Sequence, residues 1–378
     1  MNHRPATIDA VCALVVETVA AGDALQLQGT GTKAGIGSRT SGRVVDLTAL
    51  AGVVSYEPEE LVLVVRPGTP LSEIEVLLAE RDQQLAFEPP YWGKTATLGG
   101  TVACGWSGPR RLFAGSLRDF LLGAEYVDGR GRRIRVGGKV VKNVTGFDLW
   151  RLQAGAFGTL GILTEIVLKL WPRPATLSTV AVDLPITDAH PLMLEWARRP
   201  EAVSGIAYEP ASQRLLVRVE GTAAAVAARC HSLAGLTELE VETLANEESL
   251  SVWQSVREAT SMRTGAGSLW RIVLPASDTV AALQRLTELG LSAYLLDWGG
   301  ALIWARMETG PKEIRAAIAG FGGMAWRFAD DDDDPNPRGF DPLASGLATI
   351  NQTVKQTIDP DDIFNRGRLG HSLESASS

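Results

Sequence analysis

A chain of 378 residues is too long for one compact core, and its length predicts two or three structural units. Its apolar content of 45% and charged content of 21% are typical of a soluble globular protein, and no apolar run approaches the ~20 residues of a membrane-spanning helix. The formal net charge of −8 argues against nucleic acid as a partner, because phosphate binding requires a basic face.

The N-terminal third is predicted to mix short strands and helices. An amphipathic helix over residues 7–21 is followed by strands over 24–28, 44–47 and 61–65. Ser72 and Glu75 have the spacing of a capping box, which predicts a helix that opens there and runs through Ala79. Glycine and proline punctuate residues 89–115, which predicts a long loop. A strand over 120–128, a turn and a strand over 132–136 complete this part.

Residues 138–174 form the most informative stretch of the chain. Phe147, Leu149 and Leu152 fit a short helix that follows a loop containing residues 140–143. Gly155, Gly158 and Gly161 then predict a tight turn before a strand over 162–170. A turn this rich in glycine lets the main chain approach a bulky ligand and direct N–H groups toward it.

A second α+β unit is predicted after residue 175, because the pattern βαββαβ occurs there twice. Two such units in tandem predict one continuous antiparallel sheet covered by helices. The predicted strands are 177–184, 204–208, 214–220, 237–243, 269–274, 293–297, 301–307 and 324–329, and the predicted helices are 189–199, 222–233, 278–289 and 311–321. An acidic run at 330–334 predicts a solvated loop, and a last helix over 343–355 precedes a compact tail and a frayed end from 371.

The loop from Gly29 to Gly37 formally contains the dinucleotide fingerprint GxGxxA. Its context excludes a Rossmann loop, because the glycine- and serine-rich residues 35–42 cannot form the helix that such a loop must open. The loop fits a glycine/threonine nest that binds a pyrophosphate through main-chain N–H groups, with an ordinary surface loop as the alternative.

Several phrases in fixed order resemble the PCMH-type FAD-binding domain of the vanillyl-alcohol oxidase superfamily. They are QGTGTKAG, ATLGGTVA, GSLRDFLLGAEYV, KNVTGFDLWRL, GAFGTLGILTEIVLKL and the tail IDPDDIFNRGRL, in which Arg366 replaces the usual proline. The resemblance covers about residues 24–175 and 358–369. It implies an α+β protein with a two-subdomain FAD-binding domain at 1–175, an antiparallel cap domain at 176–329, and a segment at 330–378 that returns to the FAD domain.

The resemblance also implies which residues bind the cofactor. The loop Gly29–Gly35 would hold the pyrophosphate, and the other segments would line the ADP and the isoalloxazine. The full set is Gly29, Thr30, Gly31, Thr32, Lys33, Ala34, Gly35, Pro90, Thr97, Leu98, Gly99, Ala103, Gly105, Ser107, Leu117, Asp119, Gly158, Gly161, Ile162 and Asn365. No histidine falls in these loops and Cys104 is best explained as a small buried residue, so the expected FAD is non-covalent, and no metal site is expected.

More narrowly, KNVTGFDLWRL and the short cap resemble the FAD-binding E subunit of bacterial glycolate oxidase. That subunit works beside a second flavin subunit and an iron–sulfur subunit. The resemblance implies an FAD-dependent oxidoreductase subunit that takes part in electron transfer within a complex whose substrate is glycolate. Cys12, Cys104 and Cys230 are scattered, which excludes a disulfide framework and makes an iron–sulfur cluster within this chain unexpected. With no signal peptide over residues 1–22, the expected location is the cytoplasm, or the periphery of the inner membrane through the complex.

The cap departs from related 2-hydroxy-acid dehydrogenases in its histidines. Those enzymes carry a Glu-His-Gly phrase whose histidine resembles a substrate base, and none of His3, His190, His231 and His371 lies in such a phrase. The catalytic residue is therefore unknown. A self-sufficient dehydrogenase with an unrecognised base and a non-catalytic assembly subunit stay open as alternatives.

Arginines and tryptophans are concentrated in the predicted cap strands. Arg263, Arg271 and Arg306 fit either a grip on a substrate carboxylate or a surface or interface role. The nearby tryptophans, Trp270, Trp298, Trp304 and Trp326, fit either core positions or a docking surface, and core is the simpler interpretation.

Overall fold

A computed structural model describes residues 3–93, 95–138, 147–199, 202–328 and 339–370. The predicted loop at 140–143, the acidic run at 330–334 and the tail from 371 lie outside these residues. The α-helices of the described part are α1 (Ile8–Ala21), α2 (Leu71–Ala79), α3 (Leu98–Cys104), α4 (Arg111–Ala114), α5 (Leu117–Phe120), α6 (Ile186–Trp196), α7 (Ala223–Ala234), α8 (Asn246–Glu258), α9 (Thr279–Glu288), α10 (Pro311–Ala319) and α11 (Ser345–Ile358).

Strands are numbered in the same way. They are β1 (Leu25–Gln28), β2 (Arg43–Asp46), β3 (Val53–Glu57), β4 (Val62–Val65), β5 (Gln83–Gln84), β6 (Leu121–Val127), β7 (Arg133–Gly137), β8 (Ile162–Lys169), β9 (Trp171–Pro172), β10 (Thr176–Asp183), β11 (Val203–Glu209), β12 (Arg214–Gly221), β13 (Val241–Ala245), β14 (Ser268–Val273), β15 (Leu291–Asp297), β16 (Leu302–Met307) and β17 (Met324–Phe328).

The chain divides into two compact units. Unit 1 comprises Met1–Trp106, Ser116–Pro172 and Pro342–Ser378, and unit 2 comprises Ser107–Gly115 and Arg173–Asp341. Both units are interrupted in sequence. Within unit 2, the indole of Trp298 donates a hydrogen bond to the Gly108 carbonyl at 2.9 Å. This bond connects the short segment Ser107–Gly115 to the larger segment of the same unit.

Unit 1 contains two sheets that matter for the site. The antiparallel sheet β3-β4-β8-β6-β7 has a fully buried central region, because every residue of β4 and β6 is buried. The smaller pair, β1 and β2, is parallel and packs under α1 through Val11 and Val15. The C-terminal tail joins this pair, since Leu25 forms a bridge with Phe364.

Unit 2 is built on one eight-stranded antiparallel sheet in the order β13-β10-β12-β11-β15-β16-β14-β17. The two predicted βαββαβ repeats each contribute four consecutive strands of this order. The repeats meet where β11 pairs with β15 at Tyr208 and Leu296, so the sheet is continuous across both. Buried aliphatic and aromatic residues of both repeats form one core cluster. The predicted continuous sheet is therefore confirmed.

Some local predictions were wrong. The capping box at Ser72 and Glu75 does not exist, because α2 begins after Pro70 at its N-cap, with no side-chain cap. Residues 89–115 are not a plain loop, since they contain α3 and α4. The strand β3 and the helix α8 were not predicted. Among the described residues, no helix is long and apolar enough to cross a membrane.

Candidate cofactor site

An open cleft lies within unit 1. Four segments converge on it: β1 with the loop that follows, α3 with its N-cap, the turn between residues 153 and 163, and the tail at Asn365 and Arg368. These segments are distant in sequence, and the two sheets of unit 1 bring them together. A concave site of this kind is where organic ligands bind.

The cleft gathers 13 of the 20 residues predicted to bind cofactor. Those that line it are Gly29, Thr30, Gly31, Thr32, Lys33, Ala34, Thr97, Gly99, Ala103, Gly158, Gly161, Ile162 and Asn365. The other seven, Gly35, Pro90, Leu98, Gly105, Ser107, Leu117 and Asp119, do not line it. Of these, Leu98 and Leu117 are fully buried and Gly105 caps the C-terminus of α3. Asp119 caps the N-terminus of α5 through Ser116.

The loop after β1 is fixed directly against the start of α3. Thr97 is the N-cap of α3, and its hydroxyl accepts a hydrogen bond from Gly100 N–H at 3.3 Å. Thr30 donates its hydroxyl hydrogen to the Thr95 carbonyl at 2.8 Å. A Cβ atom on Gly29 would overlap the Thr97 hydroxyl, so only glycine permits this close approach.

Asn365 connects three of the four segments. Its side-chain oxygen accepts a hydrogen bond from Leu27 N–H at 2.7 Å, and its side-chain nitrogen donates to the Phe157 carbonyl at 2.7 Å. The residue is 6% exposed and has φ of 41°, a left-handed conformation that asparagine tolerates better than most residues. Asn365 therefore holds β1 and the glycine turn at the edge of the cleft.

The charge of the cleft is positive although the whole chain is acidic. Lys33 and Arg368 line it, and in the part of the chain that the structure describes no aspartate or glutamate does. The Lys33 ammonium donates to the Tyr91 carbonyl at 3.1 Å, and the Arg368 guanidinium donates to the Ala34 carbonyl at 3.1 Å. These contacts hold both cations beside the loop, where they favour an anionic group such as a pyrophosphate.

The donors and the apolar residues of the cleft together fit a dinucleotide. Main chain at Gly31 faces open space, since a Cβ there would meet no atom within 4 Å. Threonine hydroxyls at positions 32, 40 and 97 add polar groups, and Leu27, Leu47, Ile162 and Leu163 add apolar surface. An anionic linker with an aromatic ring at its end requires this combination.

Several lining residues were missed by the sequence prediction. They are Gln26, Leu27, Gln28, Thr40, Leu47, Pro67, Gly100, Cys104, Gln153, Phe157, Leu163 and Arg368. A signal for Arg368 was present, because it lies inside the tail phrase that carries the family resemblance, and Cys104 directly follows the phrase ATLGGTVA. Nothing in the sequence around Leu47 or Pro67 indicates that they reach the cleft.

Most of the arginines and tryptophans singled out in unit 2 are buried: Arg271 and Arg306 are, whereas Arg263 is exposed and Trp326 is half-buried. Trp270, Trp298 and Trp304 are buried. Of the two interpretations of these tryptophans, core positions and a docking surface, burial supports the core positions. Arg306 donates to the Met262, Arg263 and Gly267 carbonyls at 2.8 Å each, so its side chain fixes a loop.

Arg271 is enclosed by indole rings. Its guanidinium carbon lies 4.9 Å from the Trp298 ring centroid and 5.1 Å from that of Trp326. Burial, with a smaller contribution from Arg111, lowers the pKa of Arg271 to about 9. The cation is therefore held by aromatic faces inside unit 2.

Comparison with known proteins gives the class. Residues 3–137 match a family model described as an FAD binding domain. The chain is 38% identical over 129 residues to the glycolate oxidase subunit GlcD of Bacillus subtilis, covering 34% of this chain and 27% of that protein. It is 37% identical over 116 residues to a D-lactate dehydrogenase of Archaeoglobus fulgidus, covering 30% and 26%. The cleft thus belongs to an FAD-dependent oxidoreductase.

A longer match gives the family. The chain is 38% identical over 346 residues to the glycolate oxidase subunit GlcE of Escherichia coli, covering 91% of this chain and 92% of that protein. The chain belongs to the GlcE family of glycolate oxidase subunits. Its fold also matches an alkyldihydroxyacetonephosphate synthase with a TM-score of 0.69 at 15% identity, covering 96% of this chain and 76% of that one. The predicted FAD cofactor and PCMH-type fold are confirmed.

We expect the FAD to be bound without a covalent bond. Among the described residues, no histidine or tyrosine lines the cleft, and burial raises the pKa of the Cys104 thiol despite the opposing charges of Lys33 and Arg368. A thiol with a raised pKa stays protonated at neutral pH and is a poor nucleophile. Acid precipitation should release all of the yellow colour into the supernatant. Flavin that remains on the denatured protein would contradict this expectation.

Proposed function

We propose that this chain is the FAD-holding relay subunit of a glycolate-oxidising complex, and that the substrate is oxidised at another subunit. When bound, FAD supplies the chemistry of accepting and passing on electrons. The observation that carries the proposal is a cleft equipped for FAD that none of the described histidines lines. Removal of hydride from the α-carbon of a hydroxy acid requires a base within reach of the hydroxyl.

The histidines support this division of labour. His190 is buried on α6, and its Nε2 lies 2.7 Å from the Ala276 carbonyl oxygen, so the ring has a structural partner inside unit 2. His231 lies in the last turn of α7, and His3 forms a bridge with Val45. None of the three lines the FAD cleft.

The residues of this chain hold and orient the cofactor in the proposal. The loop Gly29–Gly35 and the cations Lys33 and Arg368 would bind the pyrophosphate. The apolar end of the cleft, with Ile162 and the main chain of Gly158 and Gly161, would take an aromatic ring. Asn365 would position this wall through its two backbone hydrogen bonds. The seven predicted residues outside the cleft stay predictions for more distant parts of the cofactor.

The partners follow from the family. The match to GlcE over nearly its whole length, with a partial match to GlcD, supports membership of a complex of several subunits. We propose a second FAD-containing subunit of the GlcD type and an iron–sulfur subunit as its other members, with glycolate as the substrate of the complex. The proposed location is the cytoplasm or the inner face of the membrane through that complex. In this proposal the FAD-binding domain extends over residues 1–175, the cap domain over 176–329, and residues 330–378 return to the FAD domain.

The isolated, FAD-loaded chain should not be reduced by glycolate. Because no described histidine is placed as a base, anaerobic addition of glycolate should leave the visible flavin spectrum unchanged over minutes. Addition of the GlcD-type subunit together with glycolate should then bleach the flavin of this chain. The matched control is dithionite, which should reduce the isolated chain and show that its flavin is competent.

Each alternative function has its own outcome in this experiment. Rapid bleaching of the isolated chain by glycolate or D-lactate would establish a self-sufficient dehydrogenase and contradict the relay. Purification without any flavin, even after incubation with excess FAD, would indicate an assembly subunit.

A further inference from the structure

Unit 1 exposes two short apolar faces that its own core does not use. Residues Leu149–Gln153 form a 3₁₀ helix, in which positions three apart lie on the same face. Trp150 and Gln153 are buried on one side, and the Trp150 indole donates to the Leu121 carbonyl at 2.9 Å. Leu149 and Leu152 consequently lie together on the exposed side. Phe147, just before this helix, is 87% exposed.

The second face is on helix α11. No residue of this helix is buried, and Leu347 and Ile350, one turn apart, are 55% and 60% exposed. The C-terminal end of the helix is well anchored, because Lys355 donates to the Thr159 and Phe364 carbonyls at 2.9 and 3.1 Å. The C-terminal end thus holds the helix in place, while its N-terminal half exposes the large aliphatic side chains of Leu347 and Ile350 to solvent.

One groove joins the two faces. Both Leu152 and Ile350 line it. We name it the apolar groove and define it by Leu152, Leu160, Ile350, Val354 and Leu369. Monomeric proteins rarely expose several large aliphatic side chains together, and such patches mark interaction sites.

The charges around the apolar groove are largely paired. Arg118, Arg151, Lys355 and Arg368 line it together with Asp362. Lys355 lies 2.5 Å from Asp359 and 3.0 Å from Asp362, and Arg151 lies 3.1 Å from Asp148. Because these pairs compensate much of the positive charge, the best complement of the groove is an apolar segment.

The groove also shares two lining residues with the FAD cleft. Asn365 and Arg368 line both, so an occupant of the groove sits directly beside the residues that shape the cofactor site. In an electron-relay subunit, the partner that delivers electrons has to approach this part of the molecule.

We propose that the apolar groove is the docking site for the GlcD-type flavin subunit, which inserts an apolar helix or loop beside the FAD cleft. This inference rests on the proposed function, since it presumes the complex. A lipid surface is the less suitable occupant, because electrostatic membrane binding uses clusters of about 4–8 basic residues, whereas the groove is concave and two of its lining cations, Arg151 and Lys355, are ion-paired.

The test is co-expression of the tagged chain with the GlcD-type and iron–sulfur subunits. Leu152→Glu and Ile350→Glu, singly and together, place a carboxylate in the groove. The matched control is Val76→Glu, at a 65% exposed valine on α2 that does not line the groove. We expect each groove variant to lower the co-purified flavin subunit about tenfold or more, as for the loss of an interface hot spot, while Val76→Glu behaves as wild type. All variants should keep their FAD, which reports that unit 1 is folded.

The outcomes separate this inference from the function on which it rests. Wild-type protein that co-purifies neither partner would overturn both. A normal wild-type complex that the double variant also forms would overturn the docking site alone. Loss of the iron–sulfur subunit with retention of the flavin subunit would overturn the assignment of the occupant. If the variants keep the complex but lose binding of the wild type to phosphatidylglycerol vesicles, the groove is a lipid-binding surface and the proposal is wrong.

Discussion

Replacing Gly158 with valine is expected to leave the purified chain almost without FAD. Gly158 has φ of +69°, and a Cβ atom there would lie 2.7 Å from the side-chain nitrogen of Asn365. A β-branched residue in this conformation costs roughly 1–2 kcal/mol. The larger effect is displacement of Asn365, which ties the glycine turn to β1 through two hydrogen bonds. We expect less than about a tenth of the wild-type flavin, since loss of each buried bond costs roughly 1–3 kcal/mol.

The control for backbone strain is Gly22→Val. Gly22 has φ of +67° at the C-terminal cap of α1, and a Cβ there would meet no atom within 4 Å. This variant should lose stability by about 1–2 kcal/mol from the left-handed conformation alone, and it should keep stoichiometric FAD. The ratio of flavin to protein absorbance measures both variants. A Gly158→Val protein that binds FAD as well as Gly22→Val would show that the turn does not form the wall of the cofactor site.

The sequence predicted the sheets better than the short helices, for physical reasons. Alternating or continuous apolar runs specify strands, so β6, β8 and the tandem repeats of unit 2 were predicted correctly. Helix α3 has only seven residues and contains Gly99 and Gly100, which disfavour a helix locally. It forms because Gly99 packs against Pro67, a tertiary contact that the local sequence does not reveal. Helix α8 begins immediately after β13 and has no side-chain cap to mark its start.

The part of the cofactor cleft that one continuous loop forms could be predicted from the sequence. The glycine/threonine nest from Gly29 to Ala34 lines the cleft as its composition predicted. The residues that come from converging segments were not predictable, because Gln153 and Phe157 reach the cleft only through the packing of the glycine turn on β1 and α3. Asp119 shows the opposite case, since its carboxylate has a local role: it accepts a hydrogen bond from Ser116 N–H at 2.8 Å.

Asn365→Leu is expected to destabilise unit 1 by about 3–5 kcal/mol and to lose FAD. The leucine side chain has a similar size but neither accepts from Leu27 N–H nor donates to the Phe157 carbonyl. Each of these groups left without a partner costs roughly 1–3 kcal/mol, and the left-handed conformation at φ of 41° adds strain for leucine. Because Asn365 lines the FAD cleft, loosening of this contact should also weaken cofactor binding. Urea unfolding and the flavin content of the purified protein measure the two effects.

Two further variants separate the causes. Asn365→Gly removes the same hydrogen bonds without backbone strain. It should therefore lose nearly as much FAD as Asn365→Leu but less stability. Asn246→Leu provides the matched control in unit 2, because Asn246 also has a left-handed φ, of 35°, and its side-chain bond to Thr176 is exposed. It should lose about 1–2 kcal/mol and keep its flavin. The prediction is wrong if Asn365→Leu is as stable as Asn246→Leu and binds FAD fully. That result would show that the tail does not hold the cofactor cleft together.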